Sequence, residues 1–114
     1  MSDPRLVQVA QLHGLVGRQG ELRELLEALA TGARDEPGCI NFRVLAAEEP
    51  GEWVVLSEWV EEASLRAHFR TAHYRRYRDA VGPLLARSSD VAVHYLDRTV
   101  YAVDPNPPDA DRLG

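Results

Sequence analysis

The sequence has little of what several common classes of protein require. It contains one cysteine among 114 residues, so no disulfide can form within the chain, and a reducing, cytoplasmic location is expected. No segment approaches the roughly 20 apolar residues of a membrane-spanning helix, and no signal peptide is recognisable, so no membrane is expected as a partner. Acidic residues outnumber basic ones by 18 to 13, giving a net charge of −5, and nucleic acid is therefore not an expected partner either.

Cofactor and metal motifs are also missing. Gly14, Gly17 and Gly20 follow a predicted strand, but a glycine at every third residue is not the G-x-G-x-x-G pattern of a dinucleotide site. His68 and His73 are five residues apart, about 140° around a continuous helix, so they could share a metal only if the helix breaks between them. We therefore expect no cofactor and no metal.

The hydrophobic pattern predicts six main elements in the order strand, helix, strand, strand, helix, strand. The strands are predicted at residues 6–16, 39–46, 52–60 and 90–103, the first helix between Gly20 and Pro37, and the second helical region from residue 61 to about 87. The apolar stripe of that second region changes phase, which predicts a break near Thr71, and Gly82-Pro83 predicts a kink or stop. This order is typical of an α+β fold, the ferredoxin-like split βαβ with an antiparallel sheet. Residues 1–103 form the predicted domain, and residues 104–114 a disordered or extended tail.

Side chains of the third strand alternate between two largely apolar faces. One face carries Trp53, Val55, Ser57 and Trp59, and the other carries Val54, Leu56, Glu58 and Val60. Helices are expected on one face of the sheet only, so we expect the sheet of a second copy to cover the other face. The sequence thereby predicts a homodimer, arranged as a dimeric α/β barrel.

Four short motifs occur in a fixed order along the chain. They are Glu36-Pro37-Gly38-Cys39, Ser57-Glu58-Trp59, Ala67-His68-Phe69 and Ala72-His73-Tyr74. In this order and spacing they resemble the antibiotic biosynthesis monooxygenase family, over residues 6–100. The resemblance implies a homodimeric α/β barrel and several activities: cofactor-independent oxygenation of aromatic polyketides, quinol oxygenation, isomerisation of a phosphorylated autoinducer and haem degradation. Where the haem-degrading members carry asparagine, tryptophan and histidine, this sequence carries His13, His68 and Arg78, so haem degradation is not expected.

The candidate catalytic residues are His68, His73 and Glu58. A neutral imidazole can take a proton from an acidic phenol or enol, and the resulting anion can pass an electron to oxygen without flavin or metal. The alternative is structural: a buried carboxylate needs a partner, and one of these histidines could brace the helix–sheet contact through a hydrogen bond to Glu58.

The candidate substrate contacts are Trp59, Phe69, Tyr74, Tyr77, Asn41 and Arg43. Trp59 and Phe69 could form a flat wall for an aromatic compound, and the tyrosine hydroxyls could donate to a carbonyl, although core packing explains these rings equally well. Asn41 and Arg43 share one face of the second strand and lie either in the pocket or in solvent.

These observations predict an oxidoreductase: a cofactor-independent monooxygenase of a phenolic, quinol or polyketide-like small molecule, with molecular oxygen as the second substrate. Two alternatives stay open. One is an isomerase or tautomerase that uses the same base without oxygen, and the other is a non-catalytic dimer that binds a small ligand.

Overall fold

The computed structural model describes residues 5–96, which form a four-stranded antiparallel sheet with its helices on one face. The elements are β1 (Arg5–Gly14), α1 (Gln19–Arg34), β2 (Cys39–Ala46), β3 (Glu52–Trp59), α2 (Glu62–His68), α3 (Ala72–Val81), a single 3-10 turn (Gly82–Leu84) and β4 (Leu85–Leu96). The strand order is β2-β3-β1-β4. Because β1 and β2 are both antiparallel to β3, they run in the same direction with β3 between them, and the predicted split βαβ arrangement is confirmed.

The last strand begins earlier than the sequence pattern predicts. The helical region was expected to reach about residue 87, but α3 ends at Val81, and β4 starts at Leu85. Pro83 lacks the N–H that would continue the helix, and the backbone N–H of Leu15 donates to the carbonyl of Leu84 at 2.8 Å, which brings the chain alongside β1. Residues 97–103 of the predicted strand and the predicted tail at 104–114 lie outside the described residues.

The hydrophobic core lies between α1 and the sheet. On α1 the buried residues recur at helical spacing: Leu22, Leu26, Leu29, Ala30 and Ala33. On the sheet the buried apolar residues are Leu6, Leu12, Phe42, Val55 and Trp59. The alternation predicted for β3 is confirmed, since Val55, Ser57 and Trp59 are buried on the helix side. None of the helices within residues 5–96 is long and apolar enough to cross a membrane.

The sheet face away from the helices carries an ionic cluster centred on His13. The His13 side chain is only 10% exposed. Nδ1 lies 2.5 Å from a carboxylate oxygen of Glu52, and Nε2 lies 2.9 Å from one of Asp90. The hydrogen bond to Asp90, followed by that to Glu52, raises the pKa of His13 above its ordinary value. Both ring nitrogens can donate only when the imidazole is protonated, so the cluster links β1, β3 and β4 through a charged His13.

This cluster predicts that the protein becomes less stable as the solution turns alkaline. Because the pKa of His13 is higher in the folded than in the unfolded chain, its stabilising contribution is complete below pH 6.5, the ordinary histidine value. The contribution is lost as pH rises through the folded-state pKa. The urea midpoint should fall between about pH 6 and about pH 9 by more in the wild type than in His13→Gln. Parallel pH curves for the two proteins, measured by tryptophan fluorescence at one protein concentration, would contradict this assignment.

Candidate functional site

A break between α2 and α3 brings His68 and His73 to the same place. α2 ends at His68, and α3 begins at Ala72, so the predicted break near Thr71 is confirmed. Thr71 fixes the junction: its hydroxyl donates to the carbonyl of His68 at 2.8 Å and accepts from the backbone N–H of Tyr74 at 3.2 Å. This is an N-cap for α3. The centroids of the two imidazole rings are consequently only 6.0 Å apart.

Glu36, in the loop between α1 and β2, joins the two histidines through one carboxylate oxygen. Its Oε2 lies 2.6 Å from Nδ1 of His68 and 2.6 Å from Nε2 of His73. The side chains of His68 and Glu36 are 2% and 9% exposed, and that of His73 is 21% exposed. Hydrogen bonds to a buried carboxylate are short and strong, so this triad holds α2, α3 and the loop in one arrangement.

Gly32 makes room for the His73 ring on the surface of α1. A Cβ atom at this position would lie 2.6 Å from Cγ of His73 and 2.8 Å from its Nδ1. A glycine inside a helix is less favourable than alanine by roughly 1 kcal/mol. Gly32 therefore allows the ring to pack closely against α1 at some cost in intrinsic helix stability.

The His68 imidazole is in the neutral form, which can accept a proton. Burial lowers the pKa of His68 below its ordinary value, although the hydrogen bond that His68 donates to Glu36 acts in the opposite direction. The imidazole is therefore neutral at neutral pH. In a neutral ring that donates from Nδ1 to Glu36, the lone pair is on Nε2, and no residue among 5–96 forms a hydrogen bond with that nitrogen.

Aromatic rings surround His68 on several sides. The ring centroids of Trp59, Tyr74, Phe69 and Phe42 lie 4.8, 5.2, 5.6 and 5.8 Å from the imidazole centroid. A cavity of about 60 Å³ lies beside His68. Two of these rings, Phe42 and Tyr74, line it together with Gln8, Ala10, Leu29, Val55, Tyr77 and Val91. The pocket beside His68 is thus apolar and aromatic, with few polar groups.

Gln8 is a polar side chain that lines this cavity, and it lies at the end of a short hydrogen-bond chain. The indole N–H of Trp59 donates to Oγ of Ser57 at 3.0 Å, and that hydroxyl donates to Oε1 of Gln8 at 3.3 Å. Tyr77 lies against Tyr74, and burial raises the pKa of Tyr77 to about 12. Its phenol therefore stays protonated at neutral pH and offers a donor on the helix side.

Six of the nine predicted site residues lie together on the helix side of the sheet: His68, His73, Trp59, Phe69, Tyr74 and Tyr77. Glu58 does not. It points from β3 to the opposite face, where its Oε2 lies 3.7 Å from Nη1 of Arg5. The predicted hydrogen bond between Glu58 and a histidine is therefore wrong, because side chains alternate along a strand and Ser57 and Trp59 already face the helices.

Asn41 and Arg43 also lie outside the cavity. Both are exposed, and they are opposite Glu58 and Leu56 in the pairing of β2 with β3, on the face away from the helices. The residue that sequence reasoning missed is Glu36. The available signal was its place at the start of the Glu36-Pro37-Gly38-Cys39 motif, directly before the turn into β2.

The same three residues could hold a metal ion. One oxygen of Glu36 and one ring nitrogen each of His68 and His73 lie within 4.8 Å of one another. From the sequence, the two histidines can share a metal only if the helix breaks between them, and the break at Thr71 meets that condition.

Comparisons with known proteins all indicate the same family. Residues 5–80 match the model of the antibiotic biosynthesis monooxygenase family. Rv0793 of Mycobacterium tuberculosis, named as a candidate monooxygenase, is 36% identical over 72 residues, which cover 63% of this chain and 71% of that protein.

Solved structures agree with this match. The structure of Rv0793 superposes with a TM-score of 0.78 and 30% identity, covering 86% of this chain and 98% of the other. A candidate antibiotic biosynthesis monooxygenase from Nitrosomonas europaea shares the fold, with a TM-score of 0.78, 21% identity and coverage of 84% and 93%. The protein therefore belongs to the antibiotic biosynthesis monooxygenase family.

Proposed function

We propose that the protein is a cofactor-independent monooxygenase of a phenolic, quinol or polyketide-like small molecule. The observation that carries this proposal is His68, a buried imidazole that is neutral at neutral pH, oriented by Glu36 and set beside an aromatic-lined cavity. A base with these properties can remove a proton from a weakly acidic O–H or activated C–H group. The family assignment supports oxygenation as the reaction that follows.

The proposed reaction begins with proton transfer from the substrate to Nε2 of His68. The Glu36 carboxylate stabilises the imidazolium that forms, and the imidazolium later returns this proton to the peroxide anion. The substrate anion gives one electron to molecular oxygen, and the two radicals combine to a peroxide at the reacting carbon. Loss of water then leaves a carbonyl group. A CH₂ group thereby becomes C=O, one oxygen atom enters the product, and the other leaves as water.

An aromatic substrate needs more space than the cavity offers in this conformation. About 60 Å³ is available, whereas sites for drug-sized ligands measure roughly 300–1,000 Å³. α3 contains no fully buried residue, and Val91, at the β4 side of the cavity, is 55% exposed. The substrate is therefore proposed to enter between α3 and β4, with the part of α3 that follows His73 moving away from the sheet.

Replacing His68 should reduce catalysis while leaving the fold intact. Loss of a general base typically lowers turnover by about 10²- to 10⁴-fold, so His68→Ala should lower oxygen uptake on a quinol or an anthrone by that factor. Glu36→Gln should have a smaller effect because the base itself remains. Glu58→Gln is the matched control, a carboxylate on the opposite sheet face, and should leave the rate unchanged. Oxygen-electrode assays of chelator-treated protein would compare the wild type with these three variants.

Three results would contradict the proposal in different ways. Full activity of folded His68→Ala would exclude this imidazole as the base. Conversion of substrate without oxygen consumption would indicate the isomerase or tautomerase. Saturable binding of such compounds without turnover of any would indicate a ligand-binding dimer.

We further propose that the functional unit is a homodimer in which two sheets pack face to face. The support is the sheet face opposite the helices, where β1 and β3 present Val7, Val9, Val54 and Leu56 in the middle of the sheet. These side chains are only partly buried in the single chain, and apolar faces of this kind are usually covered by another layer. The interface of an obligate pair would exceed roughly 2,000 Å² in total.

Light scattering should accordingly give twice the chain mass of 12.7 kDa. Leu56→Arg should dissociate the dimer, because it places an unpaired charge at the centre of the buried surface. Arg66→Ala, on the exposed side of α2, is the control and should stay dimeric. A wild-type protein that is monomeric at micromolar concentration would refute the packing of the two sheets.

A further inference from the structure

We propose that Glu36, His68 and His73 form a binding site for one divalent transition-metal ion per chain, with Zn²⁺ the expected ion. Their three donor atoms, a carboxylate oxygen and two imidazole nitrogens, lie within 4.8 Å of one another. This inference goes beyond the proposed oxygenase and does not depend on it, since it concerns the geometry of the three side chains alone.

The donor set favours zinc-like ions over the hard cations. Mg²⁺ and Ca²⁺ prefer oxygen ligands, whereas two imidazoles and one carboxylate are the protein ligands of known zinc sites that leave a fourth position open. Zinc bonds to these atoms measure about 2.0–2.2 Å, so tetrahedral donors are separated by roughly 3.3 Å. The two 2.6 Å hydrogen-bond contacts would therefore lengthen by less than about 1 Å as an ion replaces the shared protons.

Charge and protonation are compatible with a cation. Among the described residues the only cationic or potentially cationic partners of the Glu36 carboxylate are these two imidazoles, and no arginine neutralises it. Each neutral imidazole can present a lone pair to the metal by moving its proton to the other ring nitrogen, Nε2 in His68 and Nδ1 in His73. Binding of Zn²⁺ to the neutral form thus needs no net release of protons.

The ligands are held in place before any ion arrives. They come from three separate segments, and each segment is fixed: the Glu36 carbonyl accepts the backbone N–H of Cys39 at 3.1 Å, and Thr71 links the end of α2 to the start of α3. Gly32 admits the His73 ring against α1. Preorganised ligands lose less conformational entropy on binding, and the partial exposure of His73 provides a route from solvent.

Cobalt titration of the untagged, chelator-stripped protein tests this inference without any substrate. Co²⁺ substitutes for Zn²⁺ and gives intense visible absorption when it is four-coordinate. We expect absorption that saturates at one Co²⁺ per chain and is removed by added Zn²⁺. Since a ligand that binds only the folded state stabilises it, Zn²⁺ at about 100 times its Kd should raise Tm by roughly 10 °C.

Three variants locate the site, and a fourth is the matched control. Glu36→Gln and His73→Asn each remove one ligand and should abolish the cobalt absorption. Gly32→Ala keeps all three ligands but displaces the His73 ring, so it should weaken binding at least tenfold. His13→Gln is the control, because His13 also lies between two carboxylates but on the other sheet face, and it should bind as the wild type does.

Either of two results would overturn the inference. One is wild-type protein that shows no saturable four-coordinate cobalt absorption. The other is binding that survives in Glu36→Gln and His73→Asn or disappears in His13→Gln. Glu36→Gln preserves the shape of the side chain, and far-UV circular dichroism of each variant separates loss of the ligand from loss of the fold. Oxygen uptake by the metal-free protein is a separate measurement, so the proposed function and the metal site can fail independently.

Discussion

One buried carboxylate oxygen, Oε2 of Glu36, holds together α2, α3 and the loop before β2. Removing a charged carboxylate from water is costly unless hydrogen bonds replace the lost hydration, and Oε2 of Glu36 obtains two of them, from His68 and His73. The requirement acts in both directions. It fixes the loop before β2 against α2 and α3, and it fixes the tautomer of His68, whose remaining nitrogen is then available beside the cavity. Both the break at Thr71 and the glycine at position 32 of α1 are needed for this contact: the break brings His73 beside His68, and Gly32 leaves room for the His73 ring.

The two faces of the sheet have separate tasks because side chains alternate along β3. The face with Ser57 and Trp59 meets the helices, and Gln8, Ala10 and Val55 on the same face line the cavity. The opposite face combines apolar side chains in its middle with the His13 cluster at one end. Its ionic and apolar parts depend on different solution conditions, since the former weakens with rising pH and the latter does not.

Much of the fold could be predicted from the sequence because it follows from local periodicity. The α1 stripe of leucines, the alternation in β3 and the break near Thr71 all depend on neighbours a few residues apart. The boundary at Leu85 could not be read this way, since it is set by the pairing of β4 with Gly14, some seventy residues earlier. The contact of Glu36 with His68 joins residues that are 32 positions apart, so no periodic pattern in the sequence predicts it.

Glu58 shows a different kind of error. The alternation that placed Trp59 on one face already placed Glu58 on the other, so local geometry argued against its pairing with a histidine on the covering helices. Glu58 is predicted as the partner because it lies in a motif beside Trp59. The carboxylate that contacts the histidines is instead that of Glu36, which lies in a loop. Residues that flank a strand, where the chain can turn inward, are better candidates for a buried ionic partner than residues within the strand.

The geometry that suits His68 to the proposed role of a base also suits the triad to the proposed metal ion, and the two roles exclude each other on one molecule. A neutral imidazole with a free Nε2 serves proton transfer. When a cation takes Nδ1, the ring proton must move to Nε2, and the base is lost. The wall that would face a substrate is less constrained: α3 has no fully buried residue, and Val91 and Tyr95 on β4 are 55% and 54% exposed. The proposed catalytic centre is thus fixed at the triad and less constrained at the wall between α3 and β4, so substrate selectivity is expected to reside in α3 and β4 rather than in the triad.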